Sequence, residues 1–132
     1  MATRHQSRES VITLLYAKDV GNENIDKFVD EILEDKKIRN QQKEFARSLF
    51  EGVVTNLEEI DIEINSHLKE HKIDGIGHIE RAILRLGTYE IIKTDIDKAV
   101  IINESIELCK SLASDTAPKF INGVLDAVKR DK

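Results

Sequence analysis

Apolar residues recur every three or four positions along almost the whole chain, and no stretch of any length alternates apolar and polar. That period belongs to helices with one buried stripe, and it leaves no strand from which to build a sheet. A composition rich in Ile, Leu, Glu and Lys with a single Pro reinforces the point. The fold class expected from the sequence is all-α.

Breaks between the stripes divide the chain. Ser7 is the expected cap of a first helix that carries Val11, Leu14, Leu15 and the Lys18 stem and stops at Gly21-Asn22. Ile25, Phe28, Val29, Ile32 and Leu33 mark a second. After the polar run Lys36–Asn40, one long helix is expected from Gln42 to His71, with its stripe running from Phe45 to Leu68 and weak points at Gly52 and Asn56. Unbroken, it would be a rod of roughly 45 Å. Asp74-Gly75-Ile76-Gly77 is a turn. The next helix spans His78 to Lys93, with Ile79, Ile83, Leu86 and Tyr89 or Glu90 in line. Beyond Thr94–Asp97 come a stripe of Ala99, Ile102, Ile106, Cys109 and Ala113, a polar break at Ser114–Pro118, and a last helix burying Ile121, Val124, Leu125 and Val128. This predicts six to seven helices in one domain, residues 1–132, with sub-bundles 1–74 and 75–132.

With 132 residues, 40% of them hydrophobic, the chain can bury a core without staples. Its lone cysteine cannot close an internal disulfide, which fits a reducing compartment. No apolar run approaches the ~18 residues that span a bilayer. The start MATRHQSRES has no signal-peptide core, so the expected location is cytoplasmic, away from membranes. The net charge of −5 is unevenly spread, with 15 acidic against 8 basic residues in 19–75 and 9 against 9 in 76–132. The ends are neutral to basic, and a local basic strip is all that phosphate attraction needs.

Little in the chain resembles catalytic machinery. His67-Leu68-Lys69-Glu70-His71 matches an inverted zinc-protease pattern. It lies at the end of a polar helix, where exposed histidines beside the helix dipole are the simpler account. Cys109 sits on an apolar stripe and reads as a small buried hydrophobe. Gly75-x-Gly77 lacks the preceding strand and following Lys-Ser/Thr of a phosphate loop. No metal, cofactor or catalytic set is expected. Asn103 reads as a tie from its helix to the turn before the last one. Lys119-Phe120 opens the last helix, where a ring could stack on a base or plug the core; residue type alone favours the core. Arg4, His5 and Arg8 read, by themselves, as a solvated tail.

Several blocks carry a resemblance. Arg4, Arg8-Glu9 and Leu15-Tyr16 open the chain; Phe45, Leu49 and Gly52-Val53 follow. Ile79-Glu80-Arg81-Ala82-Ile83-Leu84-Arg85-Leu86 with Tyr89-Glu90 comes next. Asn103-Glu104, Ile106-Glu107-Leu108 and Lys119-Phe120-Ile121-Asn122-Gly123-Val124-Leu125 complete the set. Over nearly its full length the chain resembles the NusB-type transcription antitermination factors. The resemblance implies an all-helical fold of two subdomains and no catalysis. It implies a heterodimer with NusE, a small-subunit ribosomal protein, bound to the boxA element of ribosomal RNA leaders. NusA, NusG and RNA polymerase would complete the assembly. The RNA side would use Arg4, His5, Arg8, Tyr16, Asp115, Thr116, Lys119 and Phe120. The partner side would use Asp74, Glu80, Arg81 and Arg85. His5, Gln6 and Ser7 stand where relatives carry more Arg or Ala. Thr116 and Pro118 also depart from the family pattern, and together these changes imply weakened RNA affinity. Two alternatives remain open. One is the NusB-like domain of an RNA cytosine methyltransferase, for which 132 residues leave no room for a Rossmann-type domain. The other is a helical protein-interaction bundle without RNA contact.

Overall fold

A computed structural model describes residues 2–69, 72–113 and 117–130. Among them are seven helices and no strand: α1 Arg4–Asp19, α2 Val29–Asp35, α3 Gln41–Thr55, α4 Leu57–Asn65, α5 His78–Lys93, α6 Lys98–Leu112 and α7 Ala117–Ala127. Single 3-10 turns at Ile25–Phe28 and Ile73–Gly75 lead into α2 and α5. The all-α expectation holds.

The first helix begins earlier than expected. Thr3, not Ser7, is its cap: the Thr3 hydroxyl accepts from the Gln6 amide (3.1 Å), and the Gln6 side chain accepts from the Thr3 amide (2.9 Å). This reciprocal box satisfies two of the helix's free donors. Ser7 lies one turn inside, buried, its hydroxyl 3.0 Å from the Thr3 carbonyl and 3.1 Å from the Gln42 side-chain oxygen on α3.

The expected rod is interrupted at the second of its weak points. The Asn56 side chain donates to the Gly52 carbonyl (2.8 Å), the same oxygen its own amide uses, and separates α3 from α4. Such local side-chain competition loosens a helix. The α4 helix then stops at Asn65, whose side chain accepts from the Ile73 amide (2.8 Å), well short of His71.

The centre of the molecule is α5, which packs against α1, α3, α4, α6 and α7. It is therefore buried nearly all round, and the single stripe expected of it is too narrow. Two close approaches depend on glycine. A Cβ at Gly52 would collide with the Tyr89 ring, and one at Gly87 would sit 2.9 Å from Leu125 and 3.1 Å from the Ser105 hydroxyl. The stripe expected on α6 is also rotated. Ile101, Ser105, Leu108 and Cys109 are buried, whereas Ala99 is exposed and Ile102 and Ile106 are only half-buried. Ser105 tolerates the core because its hydroxyl donates to the Ile101 carbonyl (2.8 Å). On α7, Ile121, Val124 and Leu125 are buried as expected, and Val128 is buried just beyond it. No described helix is long and apolar enough to cross a membrane.

Candidate nucleic-acid interface

Helix α1 runs antiparallel to α5, as two sets of ion pairs show. Near its start, Arg8 meets Glu90; at its end, Asp19 meets His78 and Arg81. The expected RNA residues carried by α1 therefore fall into two groups, at opposite ends of α5.

At the Glu90 end, Arg4 is exposed and lies over the Phe45 ring, 4.4 Å from its centroid. A cation over an aromatic face is held by the ring's quadrupole. His5 is half-buried and contacts Glu104 through Nδ1 (3.3 Å). Arg8, expected on the RNA side, is buried. Only 3% of its side chain is exposed, against 2% for Glu90. Its Nη2 donates to Glu90 Oε1 (2.8 Å) and its Nε to Oε2 (3.1 Å), while Nη1 reaches Glu104 (3.5 Å). The guanidinium so committed ties the start of α1 to α5 and α6. The N-terminal segment is thus no solvated tail from Arg4 onward. Neither Glu90 nor Glu104 stood out as its counter-charge in the sequence, because the pairs span 82 and 96 residues.

At the other end, Tyr16 is 38% exposed and packs edge-on to the His78 ring, with centroids 6.1 Å apart. Asp19 accepts from His78 Nδ1 (2.8 Å) and from Arg81 Nη1 (3.0 Å), and Arg85 approaches it at 3.5 Å. Burial pushes the Asp19 carboxyl up. The His78 hydrogen bond and the charges of Arg81 and Arg85 outweigh that and hold it below the usual aspartate value.

The residues expected on the partner surface lie in and around this cluster. Arg81 is buried, its Nη2 donating to the carbonyls of Asp74 (3.1 Å) and Ile76 (3.0 Å). Arg85 grips Asp61 on α4 with two bonds (2.9 and 2.8 Å). Both arginines hold helices together, so little of their charge reaches solvent. Asp74 is exposed and Glu80 half-buried, beside the exposed Lys72 and His78.

On α7, Lys119 is exposed and Phe120 is 39% exposed. The ring does not plug the core; Ala117 and Ile121, on either side, are the buried ones. Asp115 and Thr116 lie outside the described residues. Lys119 and Phe120 form one side of a groove of about 500 Å³, whose other side is His67, Leu68 and Lys69 after α4. His67 is held by Glu63 one turn earlier (2.7 Å). Among the described residues no three His, Cys, Asp or Glu side chains are grouped to hold a metal ion, and His71 lies outside them. Nothing in the sequence pattern signalled that His67, Leu68 and Lys69 line one groove with residues of α7. Asn103 is exposed, and the turn it was expected to reach lies outside the described residues. Cys109 is fully buried, and burial, helped by the Glu80 charge, pushes its thiol up, away from nucleophilic use.

The family model described as "NusB family" matches residues 5–130. The chain belongs to the NusB family. It is 59% identical over 131 residues to the transcription antitermination protein NusB of a Nitratiruptor species, covering 99% of this chain and 94% of that one. Among solved structures it resembles T. maritima NusB at 31% identity, with a TM-score of 0.88 over 96% of this chain and 90% of that one. It also resembles a chain in a crystal structure of the antitermination factors NusB and NusE in complex with double-stranded RNA. There the identity is 36% and the TM-score 0.85, over 95% and 94% of the two chains. The NusB blocks seen in the sequence divide by role. Arg8, Arg81, Arg85 and Glu90 build the fold, whereas Arg4, Tyr16, Lys119 and Phe120 reach the surface.

Proposed function

We propose that this chain is a non-enzymatic transcription antitermination factor that binds boxA-type RNA in nascent ribosomal RNA transcripts. It does so as a heterodimer with NusE, in an assembly with NusA, NusG and RNA polymerase. The observation that carries the RNA part is the exposed Phe120 beside Lys119 at the start of α7. A partly exposed ring next to an ammonium is a stacking face with a phosphate contact, the combination used on unpaired nucleotides. Arg4 on Phe45, His5 and Tyr16 extend this surface, with Asp115 and Thr116 adjoining Lys119 in sequence. Arg8 supports the arm and does not touch RNA. The name of the Nitratiruptor relative and the NusB–NusE–RNA complex support the antitermination role and the partner. Asp74 and Glu80 suit a basic protein, and opposite charges there would speed encounter and set register.

The chain carries few free basic groups, so RNA affinity by itself is expected to be weak. A basic partner adds contacts that joint binding converts into affinity. Titration of a labelled single-stranded boxA-type RNA with the chain, with NusE and with both tests this. The pair should bind more tightly than either protein. If the mixture binds no more tightly than NusE alone, the proposal fails.

A further inference from the structure

Helix α1 opens on a charge arrangement that folding does not favour. Arg4 is its first residue, and its first turn has no acidic residue. The amide dipoles present their positive end there, which suits an anion and disfavours a cation. Arg8 follows one turn later. Its guanidinium carbon lies 5.2 Å from the centroid of the same Phe45 ring that Arg4 covers at 4.4 Å. The charge of Arg8 is met by Glu90 and Glu104. Arg4 is exposed, and its guanidinium rests on the ring. The ring itself is fixed in register. Phe45 is half-buried on α3 and packs against the core. Gln42, one turn earlier on the same face of α3, meets the Ser7 hydroxyl (3.1 Å), which lies one turn beyond Arg4 on α1.

We infer that Phe45 is a positioning residue for the N-terminal arm: its ring holds the Arg4 guanidinium in one place, against the helix dipole and the neighbouring Arg8 charge, without touching RNA itself. The inference rests on the RNA-binding proposal and brings α3 into it. A free arginine side chain samples many rotamers, and any contact it makes in a complex must first freeze them. A guanidinium held on an aromatic face is ordered before the RNA arrives. The half-buried Phe45 thus acts through Arg4, and the Ser7–Gln42 contact keeps the two helices in the register that brings ring and cation together.

Phe45→Leu provides the test, since it keeps an apolar side chain against the core and removes the ring face. In the complex with NusE, affinity for a short single-stranded boxA-type RNA should drop about 2- to 5-fold, the range for losing one exposed cation–π contact. In an Arg4→Ala background the same substitution should leave RNA affinity unchanged, because the cation it positions is gone. Phe45→Tyr keeps the face and should bind as the parent does. In the free parent chain, proton NMR should find the Arg4 δ protons shifted upfield by the ring current, and Phe45→Leu should abolish that shift. Unshifted Arg4 δ protons in the parent overturn the inference, even where Phe45→Leu does not fold. Undiminished affinity in a folded Phe45→Leu overturns it too. So does an equal loss with and without Arg4, which would make the ring purely structural, and so does a folded Phe45→Tyr as weak as Phe45→Leu. Each of these results leaves RNA binding through Lys119 and Phe120 standing. Absence of RNA binding by the parent complex overturns both proposals.

Discussion

Glu90→Leu removes the main counter-charge of a guanidinium that sits almost out of solvent. Arg8 and Glu90 expose 3% and 2% of their side chains and share three hydrogen bonds, at 3.2, 3.1 and 2.8 Å. Stranding one member of such a pair costs about 3–5 kcal/mol. Here the lower figure applies, because Glu104 still lies 3.5 Å from Arg8 and is itself 22% exposed. For 132 residues the unfolding entropy near the midpoint is about 0.28 kcal/mol/K, so a loss of about 3 kcal/mol lowers Tm by about 11 °C. The double variant Arg8→Met/Glu90→Leu replaces both charges with apolar groups of similar length. It should recover most of that loss, since a buried pair is often no better than a packed apolar one. Urea unfolding of the parent, both single variants and the double variant closes a thermodynamic cycle, with equal m-values checking that the states compared are the same. A coupling energy below about 1 kcal/mol would refute the claim that this pair anchors α1. So would a double variant as unstable as Glu90→Leu.

Three further outcomes follow from the same geometry. Phe120→Ala should leave thermal stability nearly unchanged because its ring is 39% exposed, yet weaken RNA binding by about 1–3 kcal/mol; parallel melts and RNA titrations separate the two effects. The Asp19 carboxyl is held below its usual value of about 3.9, so the unfolded chain binds its proton first as pH falls. The stability from this cluster is thus complete above about pH 4 and drains away below it, and denaturation series across that range should show a shallower acid decline for Asp19→Asn. Glu80→Lys should slow association with NusE, most strongly at low salt, while Glu80→Gln controls for the lost favourable charge in the first turn of α5; stopped-flow rates that match the parent would place the partner surface elsewhere.

Helices were legible in the sequence wherever one stripe stood apart from a polar face, as on α7, where Ile121, Val124 and Leu125 are buried. On α6 the run Ala99-Val100-Ile101-Ile102 is apolar on every side, so periodicity could not select the face that meets α5 and α7. The arginines misled for another reason. A buried guanidinium and a solvated one are identical in sequence, and what separates Arg8, Arg81 and Arg85 from Arg4 is a carboxylate or carbonyl brought in by another segment. Phe120 was similarly undecided until the chain was folded. The groove was invisible because its sides lie some 50 residues apart and share no motif.

Helix α5 has no exposed residue from Ile79 to Ile92, and five other helices grip it. Such an element cannot bend or slide without breaking contacts on several sides at once. The Arg8–Glu90 anchor near one end and the Asp19 clamp on Arg81 near the other are therefore held at a constant spacing along the axis, roughly 14 Å for nine residues. The protein is a rigid gauge. On the proposed reading, a transcript that touches both Arg4 and Tyr16 would have to span a separation that the buried helix, and not the RNA, holds constant.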